Sequence, residues 1–136
     1  FLGKFLTKVG AYPDYTLRLY RKNFGSLPAK SVHEQAEVSG KIGYLKNDLL
    51  HYNNPNFGIY IEKRLNRYTD IMAKNIKGGF FRNVFWNPFF DRQQGFIFIY
   101  FRHLGFLDGF PGFVWALFSA LHFSIAFFKA HESKTD

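Results

Sequence analysis

Cysteine is absent from the 136 residues, which excludes a disulfide framework and any thiolate metal site. There is no His-Glu-x-x-His pair, so a self-contained zinc hydrolase is excluded as well. No Asp-x-Asp and no glycine-rich phosphate loop occurs. Acidic residues are few: ten Asp and Glu stand against eighteen Lys and Arg, for a formal charge of +8. That excess calls for an anionic partner, whether nucleic acid, a membrane surface or a phosphorylated substrate. Methionine occurs once, at Met72, and the chain opens at Phe1. With no signal-peptide pattern to account for that opening, the expectation is the C-terminal part of a longer protein.

What is abundant is aromatic: 21% of residues, with nineteen Phe. These cluster in apolar runs and do not interleave with Lys and Arg, and no RNA-recognition signature is present. The pattern argues against nucleic acid as the partner. No internal repeat is visible.

Along the chain, Pro13-Asp14 marks a turn, and the alternation over residues 15–20 predicts a β-strand with Arg18 on its polar face. Arg21 follows at the strand end. Gly25, Ser26 and Pro28 mark a loop leading to Val32-His33-Glu34. Residues 34–38 and 42–52 then read as the arms of a β-hairpin turning at Ser39-Gly40-Lys41. Such a hairpin brings Glu34 and His51, one at each outer end, near enough to share a ligand.

Asn54 and Pro55 read as the cap and first residue of a helix whose apolar stripe is Phe57, Ile61, Leu65, Tyr68, Met72 and Ile76. Lys63, Arg64 and Arg67 fall on its wet side, and Gly78-Gly79 stops it. A second helix is expected over residues 87–103, then a bend through Asp108-Gly109. The run 110–128 has nineteen residues without a charge, about 28 Å as a helix and borderline for crossing a bilayer.

Several of these segments, taken together and in order, resemble a known family. They are Phe1-Leu2-Gly3, residues 10–15, Arg18-Leu19-Tyr20-Arg21, Val32-His33-Glu34, Leu50-His51-Tyr52, residues 60–68 and residues 105–109. The series resembles the C-terminal half of bacterial family 2 glycosyltransferases, notably the lipopolysaccharide core glucosyltransferase type. The resemblance implies an α/β fold that is a fragment of a GT-A fold. Its few β-strands, including a hairpin, would be followed by an amphipathic helix and an aromatic-rich helical hairpin. Residues 1–79 would be the acceptor-side part of the catalytic domain and residues 80–136 a membrane-interface helical region with a polar tail.

The implied activity is transfer of a sugar from a nucleotide-sugar donor to a lipid-linked saccharide, with inversion. By position Glu34 looks like the general base and His51 like the ligand of a divalent metal, Mg or Mn, that an upstream Asp-x-Asp would share. His33 falls to orienting Glu34 or binding acceptor, and Arg18 and Arg21 to the cofactor-side diphosphate. A hydroxyl needs such a base because it is a poor nucleophile at neutral pH, and the leaving diphosphate needs cations because it gathers negative charge.

The aromatic third has its own reading. Trp86, Trp115, Tyr100 and the arginines near helix ends are side chains that settle at a headgroup boundary, and the basic excess suits an anionic leaflet. The expectation is a monotopic hairpin on the cytoplasmic, inner face of a bacterial inner membrane. The alternative is a non-catalytic module that only docks on the membrane and binds acceptor.

Overall fold

The computed structural model describes residues 1–27, 35–52, 54 and 56–132. It is a mixed α/β chain, about half helical, with one two-stranded antiparallel pair. Two compact units are present: Phe1–Pro13 with Tyr52–Asp136, and Asp14–His51. Residues on both sides of the expected 79/80 boundary therefore lie in the first unit.

In that unit, helix α1 starts at Asn56, two residues later than expected, because the Asn56 side-chain oxygen accepts the Ile59 amide at 2.9 Å. It runs Phe57–Ile61, widens into a π-helical segment Glu62–Arg67 and continues Tyr68–Ala73. The hydroxyl of buried Thr69 donates to the Asn66 carbonyl at 2.9 Å and also to that of Leu65, a local back-bond that suits the wider turn. Past the helix, the Asn83 amide nitrogen lies 3.0–3.1 Å from the carbonyls of Lys77, Gly78 and Gly79. One buried side chain thus satisfies the turn that precedes the next helix.

Helix α2 comprises a π-helical part, Phe81–Trp86, and an α-helical part, Asn87–Phe90. The single helix expected over 87–103 is broken here. Asp91 leaves the helix with ψ 130, and its Oδ1 accepts the amides of Gln93 and Gln94, both at 2.9 Å. That side chain offers the backbone a turn in place of helical bonds. A short π-helical piece, α3, follows at Phe98–Arg102, then a 3₁₀ turn at Gly105–Asp108. The bend falls where expected: Gly109, at φ 69, turns the chain into helix α4, Phe110–Glu132. Gly112 allows α4 to pass close to that turn, since a Cβ there would sit 2.0 Å from the Gly105 carbonyl oxygen.

Asp108 holds the first residues of the chain. It is 1% exposed; Oδ1 accepts the Thr7 amide (3.2 Å) and hydroxyl (3.0 Å), and Oδ2 accepts the Lys8 amide (2.9 Å). Lys4 Nζ donates to the Asp108 carbonyl at 2.8 Å. Leu6 and Val9 are thereby carried into a core with Ile99 and Ala116, while Phe1 lies against Tyr60 and Trp115 with ring centroids 4.7 and 5.4 Å away. Helix α4 is the element that α1, α2, α3 and the 3₁₀ turn all pack against.

The second unit has little regular structure. Strand β1, Gly25–Ser26, pairs antiparallel with β2, Glu37–Val38, in the register Gly25↔Val38 and Ser26↔Glu37. The expected pairing of 34–38 with 42–52 is thus replaced by one with the segment before the loop, and residues 15–20 and 42–52 form no strand. Alternation predicts a strand only where one face is covered. Here Leu19, Ile42, Leu45 and Leu49 are all exposed, Leu45 at 78%, so no packing rewards either pattern.

Candidate functional site

Helix α4 has two unlike faces. Inward point Gly112, Ala116, Ser119, Ala120, Phe123, Ala126 and Ala130, mostly small residues that let α1 and α2 approach closely. Outward, at helical spacing, stand Phe110 (71% exposed), Phe113, Leu121 and Phe128, with Leu117 and Ile125 half-buried between them. Most small side chains of α4 are thus on the inside, and several of its large apolar ones are on the outside.

Polar groups take the inside. His122 is 5% exposed and its Nδ1 donates to the Ser119 carbonyl, which fixes the tautomer and leaves Nε2 as the acceptor nitrogen. Burial holds its pKa down at about 4; the bond to Ser119 opposes the shift, Arg64 adds to it and Asp91 opposes it. The ring is therefore neutral at physiological pH. Arg64 does not lie on the wet side of α1. It turns in and donates to Gln94 Oε1 at 2.8 Å and Ser119 Oγ at 3.4 Å, while its Nε is buried without a partner. Burial lowers its pKa, and the neighbouring phenols of Tyr60 and Tyr68 oppose that. Tyr60 is 1% exposed and its hydroxyl finds no hydrogen-bond partner. Its pKa is raised by burial, against the opposing effects of Ser119 and the Arg64 charge. The π-helical segment explains the inward arginine, because a wider turn rotates Arg64 away from where a regular helix would put it. Ser119 and His122, three apart inside an apolar run, were the visible sequence signal for this cluster.

The same reversal extends over α2. Phe80, Phe81, Phe85 and Phe89 are exposed, as are Trp86 and Phe90. Ring contacts join Phe81 to Phe85 (5.9 Å), Phe85 to Phe80 (5.7 Å), Phe80 to Phe127 (6.1 Å) and Phe127 to Phe128 (6.0 Å). The outer surfaces of α2 and of the α4 C-terminal half thus form one aromatic patch. Helix α4 is long and apolar enough to cross a membrane by length and composition, but half of its apolar window is buried against the unit. A helix so enclosed is a core element that carries one exposed side.

Of the residues singled out from sequence, Glu34 and His33 lie outside the described residues. Arg18, Arg21 and His51 are described and exposed, and their side chains have no hydrogen-bond or ion-pair partner among the described residues. Nothing described brings the three together. Among the described residues no cluster of three His, Asp or Glu side chains is placed to hold a metal ion. His51 is exposed, so its ring is open to a metal whose other ligands would come from an Asp-x-Asp outside this sequence.

No family model matches the chain, and neither a curated protein nor a solved structure matches it at a significant level.

Proposed function

We propose that this chain is the acceptor-side, C-terminal part of an inverting glycosyltransferase that works on a lipid-linked saccharide at a membrane surface. The observation that carries the reading is the ordered series of segments from Phe1-Leu2-Gly3 through Val32-His33-Glu34 and Leu50-His51-Tyr52 to Gly105-Phe106-Leu107-Asp108-Gly109. The direct link from Asp108 to Thr7 and Lys8 supports treating the two ends of that series as one assembly. The exposed apolar residues of the second unit, Leu19, Ile42, Leu45 and Leu49 among them, suit a surface that a nucleotide-binding half would cover.

In this reading the acceptor hydroxyl attacks the anomeric carbon of the donor. Its O–H proton passes to the Glu34 carboxylate as the new C–O bond forms. The bond from that carbon to the nucleoside diphosphate breaks on the opposite face, which inverts the centre. Arg18 and Arg21, exposed and unpaired among the described residues, meet the charge that builds on the departing diphosphate. His51 would be this chain's one ligand to a divalent metal completed by an upstream Asp-x-Asp, and that ion would add positive charge at the diphosphate. His33 orients the base or the acceptor.

The test is Glu34→Gln in the full-length enzyme, with donor binding and sugar transfer measured side by side. The expected result is transfer reduced by about 10²–10⁴-fold with donor binding retained. Transfer at the wild-type rate overturns the reading.

A second reading, that of a membrane-docking and acceptor-binding module without catalysis, is favoured by one observation. The helical unit exposes a row of large apolar side chains, Phe80, Phe81, Phe85, Phe110 and Phe128 among them, which suits contact with lipid.

A further inference from the structure

The outer surface of α2 carries two adjacent rows at i, i+4 spacing. One is Phe81, Phe85 and Phe89; the other is Arg82, Trp86 and Phe90. Beside the second row, where Asp91 breaks the helix, lies an open cleft of about 640 Å³ lined by Arg82, Trp86, Asn87, Phe90, Asp91 and Arg92, among others. Both Arg82, on the helix, and Arg92, just past the break at Asp91, line it.

We propose that this cleft seats the phosphate headgroup of a membrane lipid, and prefers a phosphomonoester to a phosphodiester. The inference rests on the membrane-surface part of the function proposed above, not on the catalytic part. Three features carry it. Neither the Arg82 nor the Arg92 side chain has a hydrogen-bond or ion-pair partner among the described residues, so two guanidinium groups are available in the lining. The one carboxylate in the lining, Asp91, has its Oδ1 occupied by two backbone amides of its own turn. Two arginines against one aspartate leave the cleft a net charge of +1.

The third feature decides the source of the phosphate. Trp86 and Phe90 pack at 4.8 Å as an exposed apolar wall, and the patch Phe81–Phe85–Phe80–Phe127–Phe128 continues on the neighbouring face. A soluble anion has nothing to place on that patch, whereas a lipid brings its chains to the aromatics and its headgroup to the arginines. Two planar guanidinium groups match the three free oxygens of a monoester, which bears about −1.5 to −2 charge, better than the two of a diester.

The experiment uses the full chain in flotation with three kinds of phosphatidylcholine vesicle. One is plain, one carries phosphatidic acid, and one carries phosphatidylglycerol at matched surface charge. The expected result is about tenfold tighter binding to phosphatidic acid vesicles than to charge-matched phosphatidylglycerol vesicles. R82Q/R92Q should abolish that preference, and R102Q, an exposed arginine outside the cleft, should keep it. Circular dichroism of each variant should match the parent chain. Equal binding to both anionic vesicles, a preference that survives R82Q/R92Q, or a loss equally produced by R102Q overturns the cleft while leaving the membrane reading standing. A chain that floats with none of the vesicles overturns both.

Discussion

The two units of this chain bury their apolar residues to very different extents. In the first, Leu6, Val9, Ile99 and Ala116 form a closed core, and Asp108 ties Thr7 and Lys8 to it across a hundred residues of sequence. In the second, one pair of two-residue strands is the only regular structure among the described residues, and leucines stand in the open. The first unit completes its packing with its own residues and then adds an apolar exterior. The second has apolar residues but no interior to put them in. Exposed apolar surface thus arises in two ways: over a packed core in the first unit, and with no interior beneath it in the second.

Substitutions sharpen that contrast. The largest effect is expected from Asp108→Ala, which deletes three hydrogen bonds to a buried carboxylate and should destabilise the chain by about 3 kcal/mol in chemical denaturation. Gly112→Ala, forcing a methyl group against the Gly105 carbonyl, should cost about 2 kcal/mol and lower Tm accordingly. Both act on the self-sufficient unit. If either leaves the denaturation midpoint unmoved, that unit is less complete than its packing implies.

Acid should act through the same unit. His122 binds a proton less readily folded, at about 4, than unfolded, near 6.5. Its contribution is present above about pH 6.5 and declines as pH falls toward 4, with a total of about 3 kcal/mol. His122→Gln should flatten the stability profile in that window, and an unchanged slope counts against a buried neutral ring.

Smaller effects follow. Lys129→Ala removes the ion pair with Asp70 (2.6 Å) between α4 and α1, but both side chains are partly exposed, and less than about 1 kcal/mol is expected. Leu45→Ser in the second unit should change the stability of this chain by less than about 0.5 kcal/mol. A large loss there would erase the distinction between the units.

The sequence was most informative where a local signal coincides with a local cause. The helix near residues 57–76, its end before Gly78-Gly79, and the bend at Asp108-Gly109 all follow from periodicity, capping and glycine. It was least informative where a long-range partner decides. The alternation at Tyr15 to Tyr20 looks like a strand, yet a strand exists only by virtue of its neighbour, and the neighbour chosen by Glu37 and Val38 was Gly25-Ser26. Arg64 was misplaced because a period of 3.6 assumes a regular helix, and the π-helical turn around it is not one. Asp91 reads as one more polar residue until its carboxylate is seen taking two amides and cutting a helix in two. For Glu34 and His51, sequence order is the only guide, since one lies outside the described residues and the other stands alone.

The reversed faces of α4 carry a practical consequence. Small side chains of α4 meet its neighbours at close range while Phe81, Phe85, Phe110 and Phe128 stand exposed, so loss of any cover over those rings leaves the inner junctions untouched. Stripping the solvent-side coat should therefore drive copies of the chain together through Phe81, Phe85, Phe110 and Phe128 before it loosens any helix. Turbidity would then precede the loss of circular dichroism, and adding back a mild surfactant would restore a clear solution of folded chains.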